Sequence, residues 1–340
     1  MQNIIIIGAG PAGLMAAETL AKAGKKVLVL EKNKEYGKKI CAEGTVALAI
    51  SEFPFLKNSI ERSFDLFKVN SKNNFAYIKH KEPFFFTINR KRLSEIQENN
   101  AKKASAEILT GTKVIEISEN FVKTSEGDQI QFEQLIGADG NKSIVRKYLK
   151  IPSKKFGIAV HFKVPKIVEE PEIFLDTQKW HCFYAWIFPH QKYTSIGTGI
   201  AFGNHDAKKT KSHLQMLCKE KRVDLKNINL EADIINTDFQ GFKFKNIFLA
   251  GESSGLISML TGEGIYNALV MGREIAKMII HGNTQSIEIK ELERSKTRQE
   301  QIVSLYFKQP KTCNFLYNRV PWFLKHSKKF HDRVLKAFFY

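Results

Sequence analysis

The start of the chain alternates between short apolar runs and a helical pattern. Residues 3–7, NIIII, form a β-branched run that is typical of a parallel strand buried on both faces. The segment GAGPAG follows at residues 8–13, and the apolar spacing over residues 14–23 predicts a helix that ends at Gly24. Residues 25–31, KKVLVLE, predict a second strand. The pattern therefore predicts a βαβ unit.

The glycines of this unit have the spacing GxGxxG, which is typical of dinucleotide-binding sites. Gly8 permits a tight turn, Gly10 lets a pyrophosphate approach the backbone, and Gly13 allows close packing of the helix on the strand. The N–H groups at the start of the helix would face the phosphates. Glu31 lies 18 residues after Gly13, where a carboxylate binds ribose hydroxyls. The motif predicts a dinucleotide cofactor without distinguishing NAD from FAD.

Later segments divide into two kinds of strand. Residues 113–117, 134–140 and 246–251 predict further strands of the nucleotide-binding layer, and a helix over residues 264–280 follows the last of them. Between these segments, residues 155–240 alternate apolar and polar positions, which is typical of antiparallel strands with one face in water. The pattern therefore predicts an α/β fold with an inserted antiparallel-sheet domain.

The predicted domain boundaries follow from these patterns. The nucleotide-binding domain is expected to comprise residues 1–75, 100–155 and 240–284, the inserted domain residues 76–99 and 156–239, and a charged helical region residues 285–340.

Composition narrows the class of protein. The 340 residues are 43% hydrophobic and 26% charged, which excludes a disordered or collagen-like chain. No segment approaches the roughly 20 consecutive apolar residues that span a bilayer. The four cysteines are scattered without a CxxC pair, and the nine histidines show no metal-ligand spacing. A reduced, cytoplasmic location and the absence of a metal site are therefore expected.

The charge points to an anionic partner. The excess of 53 Lys and Arg over 35 Asp and Glu gives a net charge of +18. Residues 319–340 combine basic and aromatic side chains, with Asp332 as the single acid. Four apolar residues recur there at near-helical spacing: Phe323, Phe330, Val334 and Phe338. This segment predicts either an interfacial helix on the inner face of an anionic membrane or a helix docked on the nucleotide-binding domain. Nucleic acid is not an expected partner, because no recognised binding module accompanies the charge.

Four segments together resemble one enzyme family. They are KICAEG at residues 39–44, GADGNKSIVR at 137–146, YAWIFP at 184–189, and FLAGESSG at 248–255 with LTGEGI at 260–265. In this order they resemble the geranylgeranyl reductase family of FAD-dependent oxidoreductases, within the p-hydroxybenzoate-hydroxylase-like flavoproteins. The resemblance extends from residue 1 to about residue 280. It implies a Rossmann-like FAD-binding domain, an inserted antiparallel-sheet substrate domain and a helical C-terminus.

The resemblance also implies a set of cofactor contacts. The residues expected to bind FAD are Gly8, Gly10, Ala12, Gly13, Glu31, Lys39, Ala42, Gly44, Arg90, Val114, Asp139, Glu252, Gly262, Gly264 and Ile265. Arg92 competes with Arg90 as the arginine that approaches the cofactor. Glu252 departs from the family pattern, which has Asp at this position. For Asp139 the alternative is a structural role, in which it caps a turn and pairs with Arg146.

Two further groups of residues are candidates for the chemistry. Cys41 follows Lys38 and Lys39, whose positive charges favour a thiolate, and the resemblance places its loop beside the flavin, where it is a catalytic candidate. The alternative is a small residue packed under the isoalloxazine. Tyr184, Trp186 and Phe188 alternate along a strand and therefore share one face. That face is expected either to line a tunnel for a polyprenyl chain or to pack on the core of its own sheet.

The resemblance implies a reductase that saturates double bonds of an isoprenoid or prenyl lipid, with hydride from reduced FAD and electrons from NAD(P)H or ferredoxin. A flavin monooxygenase or halogenase-like enzyme is the alternative, because YAWIFP is close to the WxWxIP element of flavin halogenases. A non-catalytic flavin- or lipid-binding protein is a third hypothesis, prompted by Glu252. The exact substrate and the oligomeric state do not follow from the sequence.

Overall fold

A computed structural model gives the fold of residues 3–37, 39–72, 74–181, 183–201, 207–258 and 260–339. The chain forms two compact units. The nucleotide-binding unit comprises Met1–Lys38, Arg90–Phe156 and Ile235–Arg298, and the mixed-sheet unit comprises Lys39–Asn89, Gly157–Ile234 and Gln299–Tyr340.

Nineteen strands and ten α-helices are present in the described ranges. The strands are β1 (Asn3–Ile7), β2 (Lys26–Glu31), β3 (Gly44–Val46), β4 (Ile60–Phe64), β5 (Leu66–Ser71), β6 (Phe75–Lys79), β7 (Phe85–Ile88), β8 (Glu107–Thr110), β9 (Val114–Ile117), β10 (Phe121–Thr124), β11 (Gln129–Gln131), β12 (Gln134–Gly137), β13 (Phe156–Val164), β14 (Glu172–Leu175), β15 (Ala185–Pro189), β16 (Thr194–Ala201), β17 (Glu231–Asn236), β18 (Lys243–Phe244) and β19 (Ile247–Leu249). The helices are α1 (Pro11–Lys22), α2 (Ala47–Glu52), α3 (Arg90–Lys103), α4 (Ile144–Tyr148), α5 (Thr177–Trp180), α6 (Ala207–Glu220), α7 (Ile265–His281), α8 (Ile287–Lys308), α9 (Pro310–His326) and α10 (Lys328–Phe338).

The nucleotide-binding unit is built on a six-stranded sheet in the order β18–β19–β12–β1–β2–β8. The strands from β19 to β8 are parallel, and β18 is antiparallel to β19. Ile4 and Ile6 of β1 pack in the core that includes helices α1 and α7. Ile5 and Ile7 pack in a second core with residues of the β9–β10–β11 sheet. Strand β1 is therefore buried on both faces, as its apolar run predicts.

The structure differs from the prediction for residues 113–117. Residues 113–117 were expected in the parallel layer, but β9 belongs to the separate antiparallel sheet β11–β10–β9. The parallel sheet ends instead in β8, which pairs with β2. Strand β8 is a short edge strand with most of its side chains exposed, so its apolar pattern is weaker than that of β9.

The mixed-sheet unit contains a seven-stranded sheet in the order β17–β13–β16–β15–β14–β5–β6. Strands β14 and β5 run parallel. The antiparallel pairs are β13–β16, β16–β15, β15–β14 and β5–β6. Apolar residues of helix α6, such as Leu214 and Leu217, pack in the core on one side. Leu324 of α9 and Leu335 of α10 belong to an aromatic-rich core formed with residues of β5, β6 and β15. A small sheet, β3–β7–β4, completes the unit.

The division into units differs from the predicted boundaries. Residues 39–75 lie in the mixed-sheet unit, because β3 and β4 pair with β7 and because β5 pairs with β14, about a hundred residues later in the chain. Residues 90–99 lie in the nucleotide-binding unit, since helix α3 packs on α1. Pairing between strands so distant in sequence leaves no signal in the local apolar pattern.

The C-terminal region does not form a unit of its own. Helix α9 packs on β5 and β6, and Leu335 and Phe339 are buried in the aromatic-rich core. Helix α9 is therefore docked on the mixed-sheet unit. The second alternative for residues 319–340 expected a helix docked on the nucleotide-binding domain. Within the described ranges, no helix is both long enough and apolar enough to cross a bilayer.

Candidate cofactor and substrate sites

The turn between β1 and α1 brings backbone atoms into direct contact. A Cβ atom added at Gly13 would overlap the carbonyl oxygen of Gly8, and one added at Gly8 would overlap the carbonyl of Ala138. Gly8 also has a φ of +103°, which favours glycine. A Cβ at Gly10, by contrast, would meet no protein atom within 4 Å. The packing therefore requires Gly8 and Gly13, and Gly10 borders open space at the helix start.

Helices α1 and α7 begin without side-chain caps. The N-cap residues are Gly10 and Gly264, and neither supplies a side-chain hydrogen bond to the first turn. Helices α4 and α10 differ, because the hydroxyl groups of Ser143 and Ser327 accept hydrogen bonds from first-turn N–H groups. An uncapped helix start presents free N–H groups and the positive end of the helix dipole. Both helix starts thus suit an anionic group, as the predicted roles of Gly10, Gly264 and Ile265 require.

Glu31 is the last residue of β2, and protein donors fill only part of the hydrogen-bonding capacity of its carboxylate. Its Oε2 accepts a hydrogen bond from the Ala9 N–H at 2.8 Å, and its Oε1 accepts from the backbone and side chain of Asn33 at 2.8 and 2.7 Å. Three donors leave acceptor capacity on Oε2 for a ribose hydroxyl. The backbone of Thr112 donates to the Glu31 carbonyl at 2.9 Å, which fixes the segment leading to Val114 beside it. The side chain of Val114 itself is buried in the second core.

Asp139 caps helix α4. Its Oδ2 accepts from the Ile144 N–H at 2.7 Å, and burial raises the pKa of this carboxyl above its usual range. The structural alternative expected Arg146 to pair with Asp139, but Arg146 pairs with other groups. Its guanidinium lies 3.8 Å from Asp238 and donates to the carbonyl groups of Ser253 and Asp238 at 3.2 and 2.8 Å. The acceptors come from a later chain segment, so no local motif indicates them.

Glu252 lies in a single 3₁₀ turn, Gly251–Ser253, and is almost fully buried. Its Oε1 accepts from the Asn236 N–H at 3.2 Å, and its carbonyl accepts from the Asn236 side chain at 3.0 Å. The other oxygen, Oε2, lies 3.6 Å from the position that a Cβ of Gly140 would occupy. The carboxylate of Glu252, one methylene farther from the backbone than that of the Asp in the family pattern, thus lies between Asn236 and the Asp139–Gly140 turn.

Glu263 is a half-buried residue with a buried carboxyl oxygen, Oε1, and sequence reasoning missed it. It lies between Gly262 and Gly264, just before helix α7, and its Oε1 has no hydrogen-bond partner among the described residues. Burial raises its pKa from 4.5 to about 7. Gly262 has a φ of +69° and borders open space. The sequence signal for this carboxyl is the charged residue inside LTGEGI, a motif in which only Gly262, Gly264 and Ile265 were expected to bind FAD.

In the mixed-sheet unit, Cys41 and Ala42 lie on the loop that leads into β3, and Gly44 begins that strand. Cys41 is half-buried, and its Sγ accepts a hydrogen bond from the Glu43 N–H at 3.3 Å. A Cβ at Gly44 would lie 2.9 Å from the ring of Phe85, so a larger residue there would require that ring to shift. Lys39 is exposed, and Lys38 lies outside the described residues.

The structure separates the two arginine candidates. Arg90 begins helix α3 of the nucleotide-binding unit and is buried, whereas Arg92 is exposed. Ala12, in the first turn of α1, is also buried, and a Cβ at Gly272 of α7 would overlap its carbonyl group.

The aromatic strand residues share one face, as their alternation predicts. Trp186 and Phe188 are buried in the aromatic-rich core, and Tyr184 is half-buried beside it. The ring centroids of Trp186 and Phe188 are 6.1 Å apart, and Phe188 lies 4.8 Å from Phe85. Trp186 and Phe188 therefore pack in the core of their own unit.

A chain of polar groups lies behind the indole of Trp186. Its Nε1–H donates to Oγ of Ser195 at 3.0 Å, Nδ1 of His161 lies 2.8 Å from the same oxygen, and Nε2 of His161 lies 3.0 Å from Oε2 of Glu231. Burial lowers the pKa of His161, against the opposing effect of Glu231. The described residues hold no group of three His, Cys, Asp or Glu side chains placed to bind a metal ion.

Comparisons with known proteins define the class. Residues 3–67 match a family model described as an FAD binding domain. Over 290 residues, the chain is 30% identical to an uncharacterised protein of Methanosarcina barkeri, and the alignment covers 82% of this chain and 74% of that protein. It is 26% identical over 326 residues to a digeranylgeranylglycerophospholipid reductase of Methanocaldococcus jannaschii, with coverage of 86% and 81%.

Solved structures share the fold. A geranylgeranyl bacteriochlorophyll reductase-like protein of Thermoplasma acidophilum superposes with a TM-score of 0.81 at 17% identity, covering 99% of this chain and 96% of that one. The flavin-dependent brominase Bmp2 superposes with a TM-score of 0.72 at 14% identity, covering 99% and 93%.

The free acceptor on Glu31, the open space at Gly10 and the family-model match define an FAD-dependent oxidoreductase. More specifically, the chain belongs to the geranylgeranyl reductase-like family of these enzymes.

Two glycine substitutions separate packing from cofactor binding. Gly13→Ala is expected to lower the free energy of unfolding of the apoprotein by about 1–3 kcal/mol, because its methyl group overlaps Gly8. Gly10→Ala has room in the protein, so the apoprotein should lose less than about 1 kcal/mol. Its methyl group would obstruct a pyrophosphate, so the Kd for FAD should rise at least about tenfold. Chemical denaturation and flavin fluorescence titration measure the two effects; wild-type FAD affinity in Gly10→Ala would contradict the predicted site.

Glu263 predicts a pH-dependent contribution to stability. Because its pKa is raised to about 7, its contribution is fully present below the unfolded-state value of 4.5 and is lost as the pH rises through 7. Glu263→Gln cannot ionise, so its stability relative to wild type should increase by about 1–3 kcal/mol between pH 4.5 and 8. Denaturant unfolding at several pH values measures this difference. Glu126→Gln, in an exposed turn, is the control, and an equally flat difference for both variants would contradict the prediction.

Proposed function

We propose that this FAD-dependent oxidoreductase saturates carbon–carbon double bonds of an isoprenoid or prenyl-lipid substrate. The observation that carries the proposal is the aromatic face of Tyr184, Trp186 and Phe188 in a chain of this family. The name of the Methanocaldococcus jannaschii relative describes a reductase of such a lipid, and its alignment spans most of both chains.

The nucleotide-binding unit supplies the groups that hold the cofactor. The N–H groups at the start of α1 would bind the diphosphate, and Oε2 of Glu31 would accept a hydrogen bond from the adenosine ribose. The positive end of the α7 dipole would stabilise negative charge on the reduced flavin. When bound and reduced, FAD supplies the hydride. The electron donor that we propose is NAD(P)H or ferredoxin.

The mixed-sheet unit supplies the substrate side. Tyr184 is half-buried beside the aromatic-rich core that holds Trp186 and Phe188, and this apolar edge suits a polyprenyl chain. Cys41 is the proposed catalytic residue, on a loop where its sulfur accepts a backbone hydrogen bond. A thiolate is the reactive form of cysteine, and hydrogen bonds to the sulfur favour it.

A monooxygenase or halogenase-like reaction is the second candidate. It is favoured by the similarity of YAWIFP to the halogenase element and by the fold shared with a flavin-dependent brominase. The two reactions differ in what reoxidises the reduced flavin, which is an alkene in the first and oxygen in the second.

An anaerobic reoxidation experiment separates the candidates. The holoenzyme is reduced with dithionite without oxygen and then mixed with a geranylgeranyl lipid. A reductase should regain the 450 nm absorbance of oxidised flavin, and mass spectrometry should find product heavier by two hydrogen atoms per reduced bond. Reoxidation only by oxygen, through a hydroperoxyflavin, would eliminate the reductase proposal. A protein that takes up no FAD would eliminate both enzyme proposals.

We also propose that the enzyme works in the cytoplasm and approaches an anionic membrane through its basic, aromatic C-terminal helices, α9 and α10. Four large apolar side chains of α9 are exposed: Phe315, Leu316, Trp322 and Phe323. Exposed Lys and Arg side chains accompany them, including Lys311, Arg319 and Lys325. Apolar side chains beside basic ones suit the interface of an anionic bilayer, from which a lipid substrate would come.

Point variants test this surface without removing the core residues of α9 and α10. The double variant Phe315→Ser, Trp322→Ser should reduce cosedimentation with phosphatidylglycerol vesicles at least about fivefold, because two apolar anchors are lost. Met216→Ser removes a comparably exposed apolar side chain from α6 of the same unit and is the control. Equal sedimentation of wild type, double variant and control would overturn the membrane proposal.

A further inference from the structure

The loop of Cys41 is held in an uncommon conformation by several contacts. Glu43 has a φ of +60°, a left-handed value that is rare for a residue other than glycine. Its carboxylate lies 3.1 Å from Nζ of Lys163, and its carbonyl accepts from the Ile88 N–H at 2.9 Å. Its own N–H donates to Sγ of Cys41 at 3.3 Å. The conformation therefore directs one peptide N–H at the sulfur.

His190 binds the other end of the same peptide group. This residue follows directly on YAWIFP, and its ring is fully buried. Nε2 lies 3.3 Å from the carbonyl oxygen of Ala42, and Nδ1 lies 2.7 Å from Oε2 of Glu61. A carbonyl oxygen and an ionised carboxylate are both acceptors. Each ring nitrogen therefore faces an acceptor, and Nε2 is placed to donate a hydrogen bond to the Ala42 carbonyl.

The charged and titratable neighbours of His190 keep it in this arrangement. Oε1 of Glu61 accepts from the side chain of Asn89 at 3.2 Å, which fixes the carboxylate. The ring of Tyr193 stacks on that of His190 at 4.3 Å, and Nζ of Lys163 lies 5.1 Å from the Tyr193 ring. Burial, followed by the charges of Glu43 and Glu61, raises the pKa of Tyr193, so its hydroxyl stays neutral. Among the described residues, the charged groups identified around the two stacked rings are the carboxylates of Glu43 and Glu61 and the ammonium of Lys163.

These contacts form one continuous chain of hydrogen bonds. It runs from the Glu61 carboxylate to the His190 ring, to the Ala42 carbonyl, through the peptide bond to the Glu43 N–H, and to the sulfur of Cys41. A hydrogen bond donated to the carbonyl oxygen polarises the peptide and strengthens its N–H as a donor. Sulfur accepts such a bond best as a thiolate.

We propose that His190 and Glu61 are positioning residues that stabilise negative charge on the sulfur of Cys41 through the Ala42–Glu43 peptide. The proposal deepens the proposed function, since it rests on Cys41 as the catalytic residue of the reductase. The substrate-independent part is the reactivity of the thiol, which can be measured without any alkene.

The test is the rate at which iodoacetamide alkylates Cys41 in the holoenzyme, followed by mass spectrometry of the Cys41 peptide across pH. His190→Gln removes the ring that connects Glu61 to the Ala42 carbonyl, so alkylation at pH 7 should slow about fivefold, in line with the loss of one hydrogen bond. Glu61→Gln should slow it in the same direction and serves if His190→Gln does not fold. His161→Gln is the matched control, because His161 is also buried and bound to a glutamate but belongs to the Trp186 chain.

Each outcome decides the proposal separately from the function. Slower alkylation in both His190→Gln and Glu61→Gln, with a wild-type rate in His161→Gln, supports it. Wild-type alkylation in a folded, FAD-loaded His190→Gln or Glu61→Gln overturns it, whether or not the enzyme reduces an alkene. Conversely, the expected alkylation pattern without anaerobic reoxidation by a geranylgeranyl lipid overturns the reductase function and leaves the thiol proposal standing. In an active reductase, His190→Gln should lower kcat with little change in KM; an increase in KM alone would contradict the positioning role.

Discussion

Helix α1 approaches β1 and α7 at two glycines without an intervening side chain, and the cofactor-binding half of the molecule depends on this close approach. Gly13 lies against the carbonyl of Gly8, and Gly272 of α7 lies against the carbonyl of Ala12. Any side chain at either glycine would push a helix away. The approach sets the position of the α1 N-terminus relative to β1, and it brings the Ala9 N–H to the carboxylate of Glu31. The two features that suit a dinucleotide are thus consequences of one packing constraint.

Buried polar groups take the corresponding part in the mixed-sheet unit. Two chains of hydrogen bonds begin at carboxylates and end at groups of the candidate site, one from Glu61 through His190 to the Cys41 loop, the other from Glu231 through His161 and Ser195 to the indole of Trp186. Burial of a histidine without a partner would be costly, so each ring is tied to an acid. Such networks fix side-chain orientation more narrowly than apolar packing does.

The local patterns predicted those parts of the fold that depend on neighbours in the chain. The βαβ unit, the helix start at Gly264 and the shared face of Tyr184, Trp186 and Phe188 follow from period and spacing, and the structure confirms them. The boundary near residue 75 depends on a strand partner far away in sequence, because β5 pairs with β14. The edge of the parallel sheet does so too, because β8, and not β9, pairs with the distant β2. The partner of Arg146 is likewise distant, because Asp238 lies 92 residues later.

The sequence by itself determined the cofactor class and the family, because glycine spacing and short motifs report on backbone conformation and on the groups needed at a phosphate. Only the tertiary structure decided which polar groups lose their water and which find partners. Oε1 of Glu263 is buried without a partner among the described residues, Arg90 is buried while Arg92 is exposed, and His190 meets Glu61 across 129 residues of chain. Desolvation and pairing are properties of the folded surroundings of a side chain, and two identical residues in similar local sequence can therefore have opposite roles.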